Sequence, residues 1–257
     1  KRSEVLRYDV NIGSHQVFHA PSPCGFLAPK RRGGFIVGCK TGLYDLDPKT
    51  GHFEFLMAVE PGLPTNRLND GFVDHQGRLW FGSMDDDEVN PTGKLYRYDA
   101  RGLAVMDDDY VITNGPCVSP DGRTLYHNDT LKKHIYAFDL SEDGHIANKR
   151  LFAQLDGGTR AEVSSPVCYD TPVSSGPHGD GYMDGPVVDS AGNVWVGLFF
   201  GWGVNCYAPD GRLLRKVSLP VSNVTKIAFG GPDLKTVYAT TAAKGLSADD
   251  LKKQHLA

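Results

Sequence analysis

The chain has 257 residues and a formal net charge of −4 at pH 7, and 40% of its residues are hydrophobic and 23% charged. These proportions are typical of a globular protein, and no apolar run approaches the roughly 20 residues that a membrane-spanning helix requires. The Lys and Arg residues are scattered and form no basic face, so we expect neither membrane insertion nor nucleic-acid binding.

The five cysteines have neither a CxxC spacing nor an even count; they are Cys24, Cys39, Cys117, Cys168 and Cys206. This pattern argues against a disulfide framework and against a thiolate zinc site. We therefore expect a reducing, cytoplasmic location for the protein.

Short apolar strands recur along the chain, each shortly after a turn glycine and each carrying one aromatic residue. In chain order these residues are Phe35, Trp80, Tyr126, Trp195 and Tyr238, at intervals of 45, 46, 69 and 43 residues. A second strand follows most of them, at Gly42–Asp47, Lys94–Asp99, His134–Asp139 and Val204–Pro209. Alternating apolar and polar residues between Gly, Pro, Asn and Asp predict antiparallel strands, and only the Ser247–Ala257 tail has a helical period.

A unit of about 45 residues with about four short strands is typical of a β-propeller blade. The alternative is a β-sandwich whose segments are similar by chance. We predict an all-β fold in which residues 1–257 form a single β-propeller domain. The one long interval indicates an insertion loop at about 156–181, rich in Gly, Ser and Pro.

One position of the repeat carries Asn or Asp each time. Eight residues before the turn glycine that precedes an aromatic strand stand Asn69, Asn114, Asp184 and Asn223. In a propeller, equivalent positions of successive blades form a ring around the axis, and pooled carboxylate and amide oxygens suit a hard divalent cation such as Ca²⁺, Mg²⁺ or Mn²⁺. The alternative is that Asn and Asp occur beside glycine because they form turns.

A divalent cation in such a ring polarises a carbonyl oxygen and lowers the pKa of bound water, which suits ester or lactone hydrolysis. Asp184 is the one ring member that titrates, so it alone could serve as both ligand and base. Arg67 should lie on the same side of its strand as Asn69 and could bind oxygens of an anionic or polyhydroxylated substrate, although a solvated surface charge is the simpler reading.

Other candidates have weaker support. The acidic run at 85–88 could hold a substrate-binding carboxylate, but such runs are usually solvated loops. His127 and His178 could act as bases, yet no Ser or Cys occurs in a nucleophile-elbow context. No phosphate-binding loop or dinucleotide motif is present in the sequence, so we expect no nucleotide cofactor.

Four motifs resemble one known family, that of senescence marker protein (regucalcin), gluconolactonase and luciferin-regenerating enzyme. They are "NRLNDGFVDHQGRLWFGSMD" (66–85), "ITNGPCVSPDGRTLYHNDT" (112–130), "DGPVVDSAGNVWVG" (184–197) and "VTKIAFGGPDLKTVYATTA" (224–242). Within the family the sequence is most similar to sugar-acid lactonases of the gluconolactonase or xylonolactonase type. The resemblance implies a six-bladed propeller with a central channel and one divalent metal ion (Ca, Zn, Mn, Mg or Fe). It also implies hydrolysis of a small sugar lactone to its aldonic acid.

The resemblance also implies roles for individual residues. Asn114 and Asp184 match two metal ligands of the family, and Asp184 also matches the general base. Arg67 and Asn69 match residues that contact the substrate, and the Asn69 position ligates metal in more distant propeller hydrolases. An acidic residue after "GSM" often touches substrate hydroxyls in the family, and Asp87 is the expected counterpart.

The sequence also departs from the family pattern. The family's third protein ligand is a glutamate in an N-terminal Gly-Glu-Gly/Ser-Pro motif, which this sequence lacks, and Glu4 and Glu54 stand in other contexts. We therefore expect the propeller to be incomplete at both termini. Two other functions remain open: a non-catalytic Ca²⁺-binding regulatory propeller, and a related esterase or phosphoesterase. In either case we expect a monomer or a weak homo-oligomer.

Overall fold

A computed structural model of the protein describes residues 3–155 and 180–254. His178 and nearly all of the predicted insertion at 156–181 therefore lie outside the described residues. The described part of the chain is almost entirely β-structure, with twenty strands and one short helix. Contacts between residues divide the chain into two compact units, 1–113 and 114–257.

The first unit contains one hairpin and two four-stranded antiparallel meanders. The hairpin consists of β1 (Glu4–Asp9) and β2 (Ser14–His19). The first meander consists of β3 (Cys24–Pro29), β4 (Phe35–Cys39), β5 (Gly42–Asp47) and β6 (His52–Met57). The second consists of β7 (Asn66–Val73), β8 (Leu79–Asp85), β9 (Gly93–Asp99) and β10 (Gly102–Tyr110).

The next meander consists of β11 (Thr113–Val118), β12 (Thr124–Asp129), β13 (His134–Leu140) and β14 (Ile146–Gln154). A six-stranded sheet follows, formed by β15 (Tyr182–Val188), β16 (Val194–Phe199), β17 (Gly203–Tyr207), β18 (Leu213–Ser218), β19 (Val224–Gly230) and β20 (Thr236–Thr241). Its strand order is β18-β17-β16-β15-β19-β20, so it joins a meander to a hairpin through one parallel contact between β15 and β19. The helix α1 (Ala248–Lys253) begins after Ser247, whose side chain caps it by accepting from the backbone N–H of Asp250.

In two of the repeats, the turn before the aromatic strand also holds the tryptophan of that strand in place. After β7, the carboxylate of Asp74 accepts backbone N–H bonds from the turn, and Gly77 has the positive φ (82°) that the turn requires. The same carboxylate accepts a hydrogen bond from the indole of Trp80 at 2.8 Å. In the second unit Asp189 accepts from the indole of Trp195 at 2.9 Å in the same way. One carboxylate therefore sets both the turn and the packing of the following strand.

An aromatic cluster packs the two meanders of the first unit together. The ring of Phe26, in β3, lies 5.4 Å from that of Phe81, in β8, and Phe81 in turn stacks on Tyr96 at 5.3 Å. The ring of Phe26 also occupies the space in which a side chain at Gly38 or Gly71 would stand. Burying large apolar side chains of this kind contributes roughly 1.5–3 kcal/mol each. In the second unit a corresponding buried cluster includes Ile135, Met183, Val194, Val196 and Leu198.

The prediction of an all-β fold made of propeller-type blades is confirmed, because the described residues contain four antiparallel four-stranded meanders. The aromatic strands of the repeat are the second strands of their meanders or hairpin, namely β4, β8, β12, β16 and β20. Six blades, incompleteness at both termini and a single domain remain predictions. No helix in the described part of the chain has the length and apolar character to cross a bilayer.

Candidate active site

The recurrent Asn and Asp positions lie at equivalent places in the fold. Asn69 is in β7, Asn114 in β11 and Asp184 in β15, in each case near the start of the first strand of a meander, and Asn223 directly precedes β19. The repeat thus predicted the equivalence of these positions correctly. What their side chains do differs from one position to the next.

Asn114 is buried, with 5% of its surface exposed, and its amide has a defined orientation. Its Nδ2 donates a hydrogen bond to Oγ1 of Thr130 at 2.8 Å. The Thr130 hydroxyl in turn donates to the backbone carbonyl of Met183 at 3.0 Å. The nitrogen of the amide is turned toward Thr130, so its oxygen Oδ1 is the atom of the amide that can ligate a cation.

A second bond holds the backbone at Asp184. Asn128, at the end of β12, is fully buried and donates from Nδ2 to the carbonyl oxygen of Asp184 at 2.7 Å. The carboxylate of Asp184 is partly exposed, and its Oδ1 accepts from the backbone N–H of Gly185 at 2.8 Å. Thr130 and Asn128 therefore fix two successive peptide groups of β15, those of Met183 and Asp184, and Thr130 links Asn114 to this strand.

The oxygen donors in this part of the second unit suit a hard divalent cation. The amide oxygen of Asn114 and the carboxylate of Asp184 are ligands of the kind that Ca²⁺, Mg²⁺ and Mn²⁺ prefer. The buried Oδ1 of Asn128 has no hydrogen-bond partner among the described residues, although such an oxygen normally has one, so a water molecule or cation here would satisfy it. Within residues 3–155 and 180–254 no three His, Cys, Asp or Glu side chains are grouped to hold a metal ion. Among the described residues, amide oxygens are therefore the groups that could ligate a cation together with Asp184.

The side chain of Asn223 is engaged elsewhere. It is buried and accepts from the backbone N–H of Phe200 at 3.2 Å and from the hydroxyl of Ser222 at 2.9 Å. Its Nδ2 donates to the carbonyl of Lys244 at 2.9 Å. These three bonds tie together loops of the second unit, so Asn223 has a structural role although it occupies the equivalent position of the repeat.

In the first unit, Arg67 and Asn69 lie on the same side of β7, as the period of a strand predicts. Arg67 Nη1 donates to Oδ1 of Asn69, and Nδ2 of Asn69 donates to the carbonyl of Thr113 at 2.6 Å. Arg67 also forms an ion pair with Asp86, with 2.9 Å between Nε and Oδ1. Lys40 approaches the other oxygen of Asp86 at 3.4 Å. We refer to Lys40, Arg67, Asn69 and Asp86 as the Arg67 cluster.

The acidic run at 85–88 divides into different roles. Asp85 is buried and accepts backbone N–H bonds from Val89 and Asn90, which lower the pKa of its carboxyl. Asp86 pairs with Arg67, whereas Asp87 is exposed. Asp86 is therefore the member of this run that contacts Arg67, and the expected contact of Asp87 with substrate hydroxyls stays a prediction. Extending the side-chain alternation of β8 beyond Asp85 could have indicated that Asp86, rather than Asp87, lies on the side of Arg67.

Two further features lie apart from these groups. His127 is fully buried in β12, a position that does not suit a general base acting on a dissolved substrate. A cavity of about 400 Å³ in the first unit is lined by Leu63, Thr92, Lys94, Asp108 and neighbouring residues, and it includes none of the predicted site residues.

The blades, together with the buried polar groups at the starts of their first strands, define a propeller-type protein with a candidate oxygen-ligand metal site. Residues 1–243 match the model of the SMP-30/Gluconolactonase/LRE-like region. The chain belongs to this family, and the resemblance predicted from the four motifs is confirmed.

Named relatives within the family include lactonases and regucalcins. The chain is 34% identical over 246 residues to a 6-deoxy-6-sulfogluconolactonase of Pseudomonas putida, covering 95% of this chain and 78% of the relative. It is 34% identical over 222 residues to an L-arabinolactonase of Azospirillum brasilense, covering 84% of this chain and 65% of the relative. Among solved structures, a calcium-binding protein, regucalcin, of Agrobacterium tumefaciens matches with a TM-score of 0.85 and 25% identity, over 98% of this chain and 79% of that one.

Proposed function

We propose that the protein is a metal-dependent lactonase that opens sugar lactones to aldonic acids. The structural observation that supports this most directly is the hydrogen-bonded connection from Asn114 through Thr130 to the carbonyl of Met183, the residue before Asp184. The names of the two lactonase relatives point to the same substrate class. Asn114 Oδ1 and the Asp184 carboxylate are the groups that would hold the cation.

The bound cation would polarise the lactone carbonyl and lower the pKa of a water molecule. In the proposed mechanism the carboxylate of Asp184 takes the proton of the attacking water. Asn128 holds its backbone carbonyl and the N–H of Gly185 donates to its Oδ1, so the carboxylate stays oriented while the proton moves. The Nδ2 of Asn114 is bound to Thr130, so the oxygen of the amide, rather than an N–H, is directed away from Thr130.

For the substrate we propose contacts from the Arg67 cluster. The guanidinium of Arg67 is fixed by Asp86 and Asn69, so its planar set of donors is preorganised for the oxygens of a polyhydroxylated molecule. Asp86 also offsets one of the two positive charges of the cluster, which are those of Lys40 and Arg67. Asp87, exposed at the same loop, remains a proposed contact for substrate hydroxyls.

Lactone opening releases a proton, so a pH indicator measures it directly. The purified protein would be stripped with a chelator, reloaded separately with Ca²⁺, Mg²⁺, Mn²⁺, Fe²⁺ or Zn²⁺, and assayed on a panel of aldonolactones. We expect turnover to depend on the metal and to fall about 10²–10⁴-fold in Asp184→Asn, the range that general base catalysis supplies. Asp210→Asn, the same change at an exposed turn of the second unit, controls for loss of one carboxylate.

Wild-type turnover by folded Asp184→Asn would rule out this assignment. A second function is favoured by the similarity to the solved structure of a calcium-binding protein, regucalcin. A protein that binds Ca²⁺ by calorimetry but opens none of the lactones would support that regulatory role. Turnover only of aryl esters or phosphoesters in the same panel would instead indicate the related esterase or phosphoesterase.

A further inference from the structure

Two cysteine thiols face each other across β3 and β4, although their spacing along the chain does not indicate a pair. Cys24, the first residue of β3, lies directly opposite Cys39, the last residue of β4. The two sulfur atoms are 3.7 Å apart, and both thiols are free. They are close enough to interact and have not formed a bond.

The backbone at this place suits a disulfide. The N–H of Lys40 donates to the carbonyl of Pro23 at 2.9 Å, which makes the adjacent Cys24 and Cys39 a non-hydrogen-bonded pair of an antiparallel ladder. In such a pair the Cα atoms are about 4.5 Å apart, within the range of about 4.4–6.8 Å that disulfides span. Bringing the sulfurs to bonding distance therefore needs side-chain rotation rather than a shift of the strands.

The two thiols have different surroundings. Cys24 is partly exposed, and a hydrogen bond from Cys39 lowers the pKa of its thiol. Cys39 is fully buried, and its bond to Cys24 together with burial raises the pKa of its thiol. Because the thiolate is the reactive form, Cys24 is the thiol that an oxidant meets first.

We propose that Cys24 and Cys39 are a reversible modification site that converts between a dithiol and a cross-strand disulfide. With a small disulfide of the glutathione class as oxidant, the Cys24 thiolate attacks one sulfur and releases one small thiol. Cys39 then loses its proton and attacks the Cys24 sulfur, which releases the second small thiol. Two protein thiols are oxidised to one disulfide, and the oxidant is reduced to two thiols.

The pair adjoins the Arg67 cluster. Lys40 follows Cys39 and contacts Asp86, and Gly25 follows Cys24. A side chain at Gly25 would lie 2.3 Å from the carbonyl oxygen of Leu68 and 2.5 Å from that of Asn69, so these backbones are in close contact. A disulfide would therefore tie together the two strand ends that support the cluster. The proposal does not depend on the lactonase function.

The test is to equilibrate the full chain in buffers of graded ratios of reduced to oxidised glutathione, block the remaining thiols, and measure intact mass with peptide mapping. We expect the loss of two hydrogens and a peptide that links Cys24 to Cys39, both reversed by a reducing agent. Cys206→Ser, which removes another buried thiol, is expected to form the same link. Cys24→Ser should abolish it, and circular dichroism would verify its fold.

Cys39→Ser is the complementary variant, and it should retain one glutathione on Cys24 because the second thiol is missing. Because Cys39 is fully buried, its replacement can prevent folding. If it does, the results for the wild type and Cys24→Ser decide the test. A stable glutathione adduct on wild-type Cys24, a link from either cysteine to a third one, or two unmodified thiols in the most oxidising buffer would each overturn the proposal.

Discussion

Thr130 accepts a hydrogen bond from Asn114 at 2.8 Å, and its own hydroxyl donates a second hydrogen bond to the backbone carbonyl of Met183 in β15. The Thr130 hydroxyl thereby holds the Nδ2 end of the Asn114 amide, and it connects this amide to Met183, the residue before Asp184. Substituting a residue that orients a metal ligand typically lowers metal affinity or activity by about 10–100-fold.

The first prediction concerns this hydroxyl. Replacing Thr130 by Val keeps the shape of the side chain but leaves the buried Nδ2 of Asn114 without this acceptor, which costs about 1–3 kcal/mol of stability. We expect the affinity for Ca²⁺ or Mn²⁺, measured by titration calorimetry, to fall about 10–100-fold. Thr130→Ser restores the hydroxyl and should restore the affinity. Equal affinities of the Val and Ser variants, both folded, would show that Thr130 does not orient the ligand.

The second prediction concerns the pair of Arg67 and Asp86. Arg67→Lys loses the fork that contacts both Asp86 and Asn69, and hydrogen bonds to charged groups are worth roughly 1.5–3 kcal/mol. We expect KM for the lactone to rise about tenfold or more with little change in kcat, measured by proton release. Asp86→Asn should have a similar effect, and the double variant should lose less than the sum of the two. Arg101→Lys, at an exposed position of the same unit, is the matched control.

The third prediction is a dependence of stability on pH. Hydrogen bonds from Arg101, with the charge of Arg97 nearby, lower the pKa of Asp99 to about 2 from an ordinary value of 3.8. A lowered carboxyl pKa contributes stability above the ordinary value and loses it as the pH falls toward the folded-state pKa.

We therefore expect the urea midpoint of the wild type to decline between about pH 4 and pH 2, and that of Asp99→Asn to decline less over the same window. The decline that remains in the variant comes from other carboxylates. Asp210→Asn is the control for removing one carboxylate. Parallel curves for the wild type and Asp99→Asn would contradict the assignment of this contribution to Asp99.

The fourth prediction tests the packing around Phe26. A Cβ at Gly38 would lie 2.0 Å from the ring of Phe26, so Gly38→Ala must displace that ring. We expect a loss of roughly 1–3 kcal/mol in the free energy of unfolding, measured by urea denaturation. Gly62→Ala, where no atom lies within 4 Å, should change stability little. Adding Phe26→Leu to Gly38→Ala should recover part of the loss, and no recovery would point to a cause other than the ring.

The sequence predicted those features that depend on a local period. The spacing of aromatic strands gave the blades, the period of two placed Arg67 beside Asn69, and the offset from each turn glycine located Asn114 and Asp184. These inferences need only the regular geometry of strands and repeats.

Other features depend on contacts between residues far apart in the chain. Thr130 reaches Met183 across 53 residues, and Cys24 meets Cys39 only because the register of β3 and β4 places them opposite each other. Asn223 has the same place in the repeat as Asn114, yet its amide is hydrogen-bonded to the hydroxyl of Ser222 and to the carbonyl of Lys244. The position of a residue in the repeat determines where its backbone lies in the blade, and tertiary packing determines what its side chain contacts.

The turns held by Asp74 and Asp189 follow the far ends of β7 and β15, whereas Arg67 and Asp184 stand near the beginnings of those strands. Asp74 follows Asn69 by five positions, a distance of roughly 16 Å along an extended strand. Pairing of each hairpin is thus anchored at one end, and the proposed site residues are placed at the other. Such a division lets substitutions diversify the end that carries the proposed site while the architecture stays unchanged.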